Sequence, residues 1–209
     1  MYFTMRKVKP PRFCIASTGR SGSGYIAKVL QAYGLNVGHE QYWRFPWQQP
    51  KQVEGDSSWL SVPHLSDYEG IIFHQMRNPL HVLTSLMNTY GKDGSDYHKK
   101  KYFPYRKKLF KTETGDLMRD FMAHICWMNE EIEKYADYGW PIEDLNADIF
   151  SGLFLYLDHD WDREKAEKAI ESVSSDYNKH HDTEYLTWKQ IPESKEKQQL
   201  KQMSKRYGY

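Results

Sequence analysis

The sequence predicts an α/β fold: a mainly parallel sheet flanked by helices, with a helix-rich C-terminal half. Two short apolar runs, "RFCIAST" and "EGIIFHQM", read as buried strands, and each leads directly into a segment of helical spacing. The first enters its helix through a glycine-rich turn. From Gly115 onward the apolar residues recur mainly at helical spacing. Strands that alternate with helices build parallel sheets, because the chain must cross over between parallel neighbours. A chain of 209 residues is the length of one domain, 1–209, and neither an internal repeat nor a linker-like stretch divides it.

The elements follow in order. "RFCIAST", residues 12 to 18, comes after a Pro-Pro breaker and gives the first strand. A helix is expected from Ser23 to Tyr33, with Ile26, Val29, Leu30 and Tyr33 on one face and Gly34 as its stop. "LNVGHE" reads as a short second strand. "EGIIFHQM", residues 69 to 76, has a β-branched centre and is the clearest further strand. Behind it "RNPLHVLTSLMNTYG" starts a helix with Asn78 as N-cap and Pro79 in the first turn. Its apolar face is Leu80, Leu83, Leu86 and Met87, opposite a polar face of His81, Ser85 and Asn88. The helix "GDLMRDFMAHICWMNEEIEKYA" is expected to end near Gly139, before a short strand at "WPIEDL". The helices "ADIFSGLFLYL" and "DREKAEKAIESV" follow, and a last one runs from Pro192 to Tyr207.

Composition narrows the function classes. A formal charge of +1 gives no general attraction to nucleic acid. No apolar run approaches the length of a membrane span. Cys14 and Cys126 lie in apolar runs and read as buried thiols of a reducing compartment. The basic "MYFTMRKVKPPR" lacks the apolar core of a secretory signal, so a cytoplasmic location is expected. The nine histidines show no metal-ligand spacing, and "KHHD" near residue 180 reads as polar loop, so no metal is expected.

The chemistry starts at "STGRSGSGYIAKVL". Gly19 and Gly24 make the G-x-x-x-x-G frame of a P-loop nucleotide-binding fold, yet Tyr25 and Ile26 stand where Lys and Ser or Thr belong. A strand-to-helix loop of this kind presents converging N–H groups and a helix dipole to an anion. Without the usual magnesium ligand it suits an anion held by a cation and amides, with Arg20 as the cation and Ser21 and Ser23 as hydroxyl donors. A sulfonate ester fits that description. In "RNPLHVLTS", Arg77 before the helix and Ser85 two turns along it suit a second phosphate.

Together the two segments resemble the sulfotransferases that use 3′-phosphoadenosine-5′-phosphosulfate. Their P-K-S-G-T-T-W-L segment binds the 5′-phosphosulfate and their R-x-P-x-x-x-x-x-S segment the 3′-phosphate. "GRSGSGYI" is similar to the first, with Arg20 for Lys, Ser21 and Gly22 kept, Ser23 and Gly24 for the two Thr, and Tyr25 for Trp. "RNPLHVLTS" matches the second in full. "PIEDLNADIFSGLFLYLD" and "LTWKQIPES…MSKRYGY" resemble the later part of the family, which extends the resemblance over most of the chain. The late R-K-G segment of many members has no copy here. The resemblance implies transfer of a sulfuryl group to a hydroxyl or amine acceptor, a small molecule or glycan, without metal. Oligomeric state is not readable.

For the general base, Glu40 at the end of the second strand is the first choice, with His39 and His64 as alternatives. In "GDSSWLSVPHL", Asp56, Ser57, Ser58 and Trp59 line an acceptor pocket or cap a helix at Asp56 or Ser57. Tyr42, Trp43, Phe45 and Trp47 suit stacking on a sugar or ring, or core packing. The basic stretch between Gly91 and Lys111 is a solvated loop or a lid that takes an acidic acceptor. Two other function classes fit the loop: a P-loop kinase, and a nucleotide-binding protein of the same fold without chemistry.

Overall fold

A computed structural model describes residues 8–46, 48–91, 100, 102–110, 112–174 and 184–209. Five strands form one parallel sheet in the order β2-β3-β1-β4-β5. They are β1 (Phe13–Ala16), β2 (Val37–His39), β3 (Gly55–Ser57), β4 (Ile71–Met76) and β5 (Tyr138–Pro141). The helices are α1 (Ser23–Tyr33), α2 (Pro79–Tyr90), α3 (Phe103–Lys107), α4 (Leu117–Glu133), α5 (Ala147–Leu157), α6 (Arg163–Ser172) and α7 (Lys195–Arg206). Among the described residues, two 3₁₀ segments, Trp59–Asp67 and Ile142–Asp144, follow β3 and β5. The expected α/β class and parallel sheet are thus observed.

Alternation along β1 divides the core. Phe13 and Ile15 pack toward α1, α5 and α6, while Cys14 and Ala16 pack toward the first 3₁₀ segment and α4. Both sheet faces are therefore covered, which is why β1 reads as a continuous apolar run. A third cluster joins α2, α4 and α7 through Leu83, Phe121 and Leu200. Gly34 ends α1 as expected, in the left-handed region at φ 111° with its N–H on the carbonyls of Leu30 and Gln31. Asn78 caps α2 by accepting from the Leu80 N–H.

Three expectations need correction. The segment at Gly55–Ser57 is a strand between β1 and β2, so Asp56 and Ser57 cap no helix; Ser58 caps the 3₁₀ segment instead. Gly139 lies inside β5 rather than at the end of α4, which stops at Glu133. The described part of the basic stretch is no solvated loop, since α3 carries the fully buried Arg106.

Asp56 has a structural task of its own. Its carboxylate accepts from the backbone N–H groups of Gln41, Tyr42 and Trp43 at 2.9, 3.1 and 3.0 Å. Those bonds pin the chain as it leaves β2. Replacing Asp56 with Ala strands the three donors, and the expected loss is about 3 kcal/mol of unfolding free energy. Urea unfolding reads it, and a loss below about 1 kcal/mol would show that water replaces the carboxylate without strain.

Candidate active site

The C-terminal ends of the strands open into a cavity of about 830 Å³. In an open parallel sheet this is the edge where ligands bind. Its floor is the loop between β1 and α1. Gly22 ends that loop at φ 84° and caps α1 without a side-chain hydrogen bond, so the first N–H groups of the helix meet the cavity lined by Gly22, Ser23, Gly24 and Tyr25. Ser21 is buried beneath the loop, its hydroxyl 2.5 Å from that of Thr18. It holds the turn together rather than facing the cavity.

The two sequence segments meet at Arg20. Its Nε donates to Ser85 Oγ at 2.9 Å, and Arg77 Nη1 donates to the Arg20 carbonyl at 2.8 Å. Arg20 is held in the left-handed region at φ 78°, a conformation that a non-glycine residue adopts at some cost. Burial lowers its guanidinium from the ordinary value; Tyr90 and Glu40 oppose this, while the cations Arg106 and Arg77 act with it. Crowded positive charge at the N-terminus of a helix is an environment that an anion relieves.

Glu40 and His39 come from the end of β2. Glu40 also has positive φ, 52°, and its N–H donates to the Ser57 carbonyl at 3.2 Å. Burial raises its carboxyl above the ordinary value, opposed by the charge of Arg106, a hydrogen bond from Trp59 and the charges of Arg20 and Arg44. His39 Nε2 lies 3.1 Å from Ser23 Oγ and 3.8 Å from Glu40 Oε1. Burial lowers its pKa against the pull of Asp56, so the ring is neutral at neutral pH. His64 is exposed on the first 3₁₀ segment and does not line the cavity.

The cavity has two ends around the loop. Beyond Arg77, the residues Ile142, Glu143, Leu145, His81 and Tyr185 form one wall. Burial would raise the Glu143 carboxyl, but hydrogen bonds from His81, Tyr209 and the Asn78 N–H outweigh it and hold the group below the carboxylate range. His81 in turn stacks on Tyr185 with centroids 3.9 Å apart. The other end is aromatic: Phe45, Trp59, Tyr90 and Tyr102 surround Glu40 and Arg106. Phe45 stacks on Tyr102 at 4.5 Å. Trp43 belongs to the core, against Tyr68, and Trp47 and "KHHD" lie outside the described residues.

Arg106, Tyr90 and Glu143 were not singled out in the sequence. Arg106 sits in a run of basic residues with no pattern of its own, and its place at the cavity comes from packing alone. Among the described residues, no group of three or more His, Cys, Asp or Glu is arranged to hold a metal ion. No described helix is long and apolar enough to cross a membrane.

No family model matches the chain, and no curated protein matches it. Among solved structures it is distantly similar to mouse sulfotransferase SULT7A1 complexed with PAP, at 12% identity and a TM-score of 0.43. That likeness covers 78% of this chain and 64% of the mouse chain, less than two thirds of its length.

Proposed function

We propose that this protein transfers a sulfuryl group from 3′-phosphoadenosine-5′-phosphosulfate to a hydroxyl or amine acceptor. The observation that carries the reading is the meeting of the two motif segments at Arg20, above an uncapped helix N-terminus. Sequence resemblance had assigned one segment to each end of a bisphosphorylated nucleotide, and in the fold they lie side by side. The loop amides and Arg20 take the 5′-phosphosulfate. Arg77 and Ser85 take the 3′-phosphate: a guanidinium carries five N–H donors, so its bond to the Arg20 carbonyl leaves it able to clasp a further oxygen.

The reaction needs three things from the protein. The acceptor must lose a proton, which Glu40 accepts at the aromatic end of the cavity. The acceptor oxygen or nitrogen must lie in line with sulfur, and the walls of Phe45, Trp59 and Tyr102 suit a ring-shaped or glycan acceptor. Charge must be held on the departing phosphate, which Arg20 and the first N–H groups of α1 provide without reorganising.

The test of the reading is differential binding. Adenosine 3′,5′-bisphosphate is expected to stabilise the fold far more than AMP, which lacks the 3′-phosphate. At about a hundred times its dissociation constant it adds about 2.7 kcal/mol. For a chain of this size that is a rise in Tm of roughly 5–10 °C. Equal shifts from the two nucleotides would remove the assignment of Arg77 and Ser85. Transfer of labelled sulfate to an acceptor panel then identifies the acceptor.

A further inference from the structure

Arg106 is the one cation lining the cavity, among the described residues, that the chemistry above leaves without a task. It is 1% exposed, on α3. Its guanidinium lies 4.0 Å from the Trp59 ring centroid and 5.5 Å from that of Tyr90. Nη1 is 3.2 Å from His124 Nε2. A guanidinium only donates, so His124 accepts and carries its own proton on Nδ1. Nε has no hydrogen-bond partner, and Arg106 forms no ion pair with a carboxylate among the described residues. Glu40 brings opposite charge to the same cavity, but the buried Nε donor has no acceptor, and a buried charged donor left unmet is costly.

The first glycine of the loop belongs to the same arrangement. A Cβ at Gly19 would lie 2.0 Å from Arg106 Nη2, and the next nearest atoms also belong to that guanidinium. Gly19 does not adopt a left-handed φ. Its missing side chain therefore serves the approach of Arg106 rather than the turn. The guanidinium meets the loop at Gly19 in the cavity that Glu40 also lines, and among the influences that favour the ionised Glu40 carboxylate its charge is the largest.

We propose that Arg106 is a catalytic residue that holds the sulfuryl oxygens as the group passes from the loop to the acceptor at Glu40. The proposal rests on the sulfuryl-transfer reading. The acceptor oxygen forms a bond to sulfur while the bond from sulfur to the bridging phosphate oxygen breaks. That oxygen leaves with the electron pair on adenosine 3′,5′-bisphosphate, and the acceptor proton goes to Glu40. Arg106 donates to the non-bridging sulfuryl oxygens throughout and exchanges no proton. A cation facing those oxygens across from Arg20 also accounts for the need for a glycine at position 19.

Inorganic sulfate is the probe. Its binding is measured by calorimetry at constant ionic strength against chloride, with and without saturating adenosine 3′,5′-bisphosphate. Sulfate is expected to bind the free protein and also its bisphosphate complex. Arg106→Gln is expected to weaken sulfate by about tenfold or more, to change bisphosphate affinity by less than about twofold, and to cut turnover about a hundredfold. Arg106→Lys keeps the charge and falls between. Gly19→Ala is the independent variant: it displaces the tip of a flexible side chain, leaves Arg106 in the sequence, and is expected to weaken sulfate likewise. It decides the matter if Arg106→Gln does not fold. Sulfate bound as tightly by both variants as by wild type, or bisphosphate weakened as much as sulfate, overturns the proposal. If the bisphosphate fails to bind wild type while sulfate binding depends on Arg106, the anion receptor stands and the nucleotide assignment falls.

Discussion

Arg20→Ala is expected to lower turnover by about a hundredfold or more, with the fold intact. The chemical argument is that Arg20 lines the cavity beside the uncapped N-terminus of α1, where the proposed reaction would develop charge on the departing phosphate. A donor fixed in advance at such a point is worth about 3–4 kcal/mol of barrier. The structural argument is that the substitution spares the backbone. Arg20 sits at φ 78°, and Ala meets the same steric resistance there, so the strain is unchanged. Among the contacts folding loses is the bond from Nε to Ser85, about 1 kcal/mol. Two further variants separate the effects. Arg20→Gly relieves the dihedral and is expected to be no less stable than Arg20→Ala, yet equally slow. Arg20→Lys keeps a positive charge but loses the planar fork that reaches both Ser85 and a ligand, so its turnover is expected to fall between. Full turnover in Arg20→Ala would remove the residue from the leaving-group site. Loss of activity that tracks unfolding across the three variants would do the same.

How much of this site could be read from the sequence differs residue by residue, for physical reasons. Arg20, Arg77 and Ser85 were readable because each is fixed by local punctuation: a glycine loop after an apolar strand, and an Asn-Pro helix start at a set distance from a serine. That they meet through Arg20 was not readable, since it depends on β1 and β4 being neighbours in the sheet. The strand β3 escaped because Gly-Asp-Ser carries neither apolar content nor alternation. Its extended form comes from pairing on both sides, with β1 and β2. Arg106 was hidden by its company. Four basic residues in "YRKK" and "FK" look alike in sequence, and burial against Trp59 selects one of them. Gly19 points to it only in the fold, as a glycine whose φ does not require one and whose absent Cβ makes room for the guanidinium. His64 shows the opposite case: a histidine between plausible motifs that the fold turns outward.

Glu40→Gln is expected to leave adenosine 3′,5′-bisphosphate binding unchanged while lowering the acceptor-dependent rate about a hundredfold to ten-thousandfold. Glutamine keeps the shape and the hydrogen bonds but takes no proton. Position 40 is fixed by the backbone: its N–H bonds the Ser57 carbonyl, and the next three N–H groups are held by Asp56. The side chain is therefore carried to the edge of the loop by β2 and β3 together, and its replacement disturbs neither. The pH profile gives a second readout. Burial raises the Glu40 carboxyl, against the lowering influence of Arg106, Trp59, Arg20 and Arg44. A base acts when deprotonated, so the wild-type rate is expected to fall as pH drops through that raised pKa, above the usual glutamate range. The glutamine variant is expected to lose this acid limb along with the rate. His39 is the rival, since it is neutral at neutral pH and 3.8 Å from Glu40. Its bond to Ser23 ties it to the loop, so His39→Gln is expected to weaken the rate modestly and to keep the acid limb. His64→Gln, outside the cavity, is expected to change nothing. A Glu40→Gln protein with near-normal turnover beside an inactive His39→Gln would transfer the role of base to the histidine.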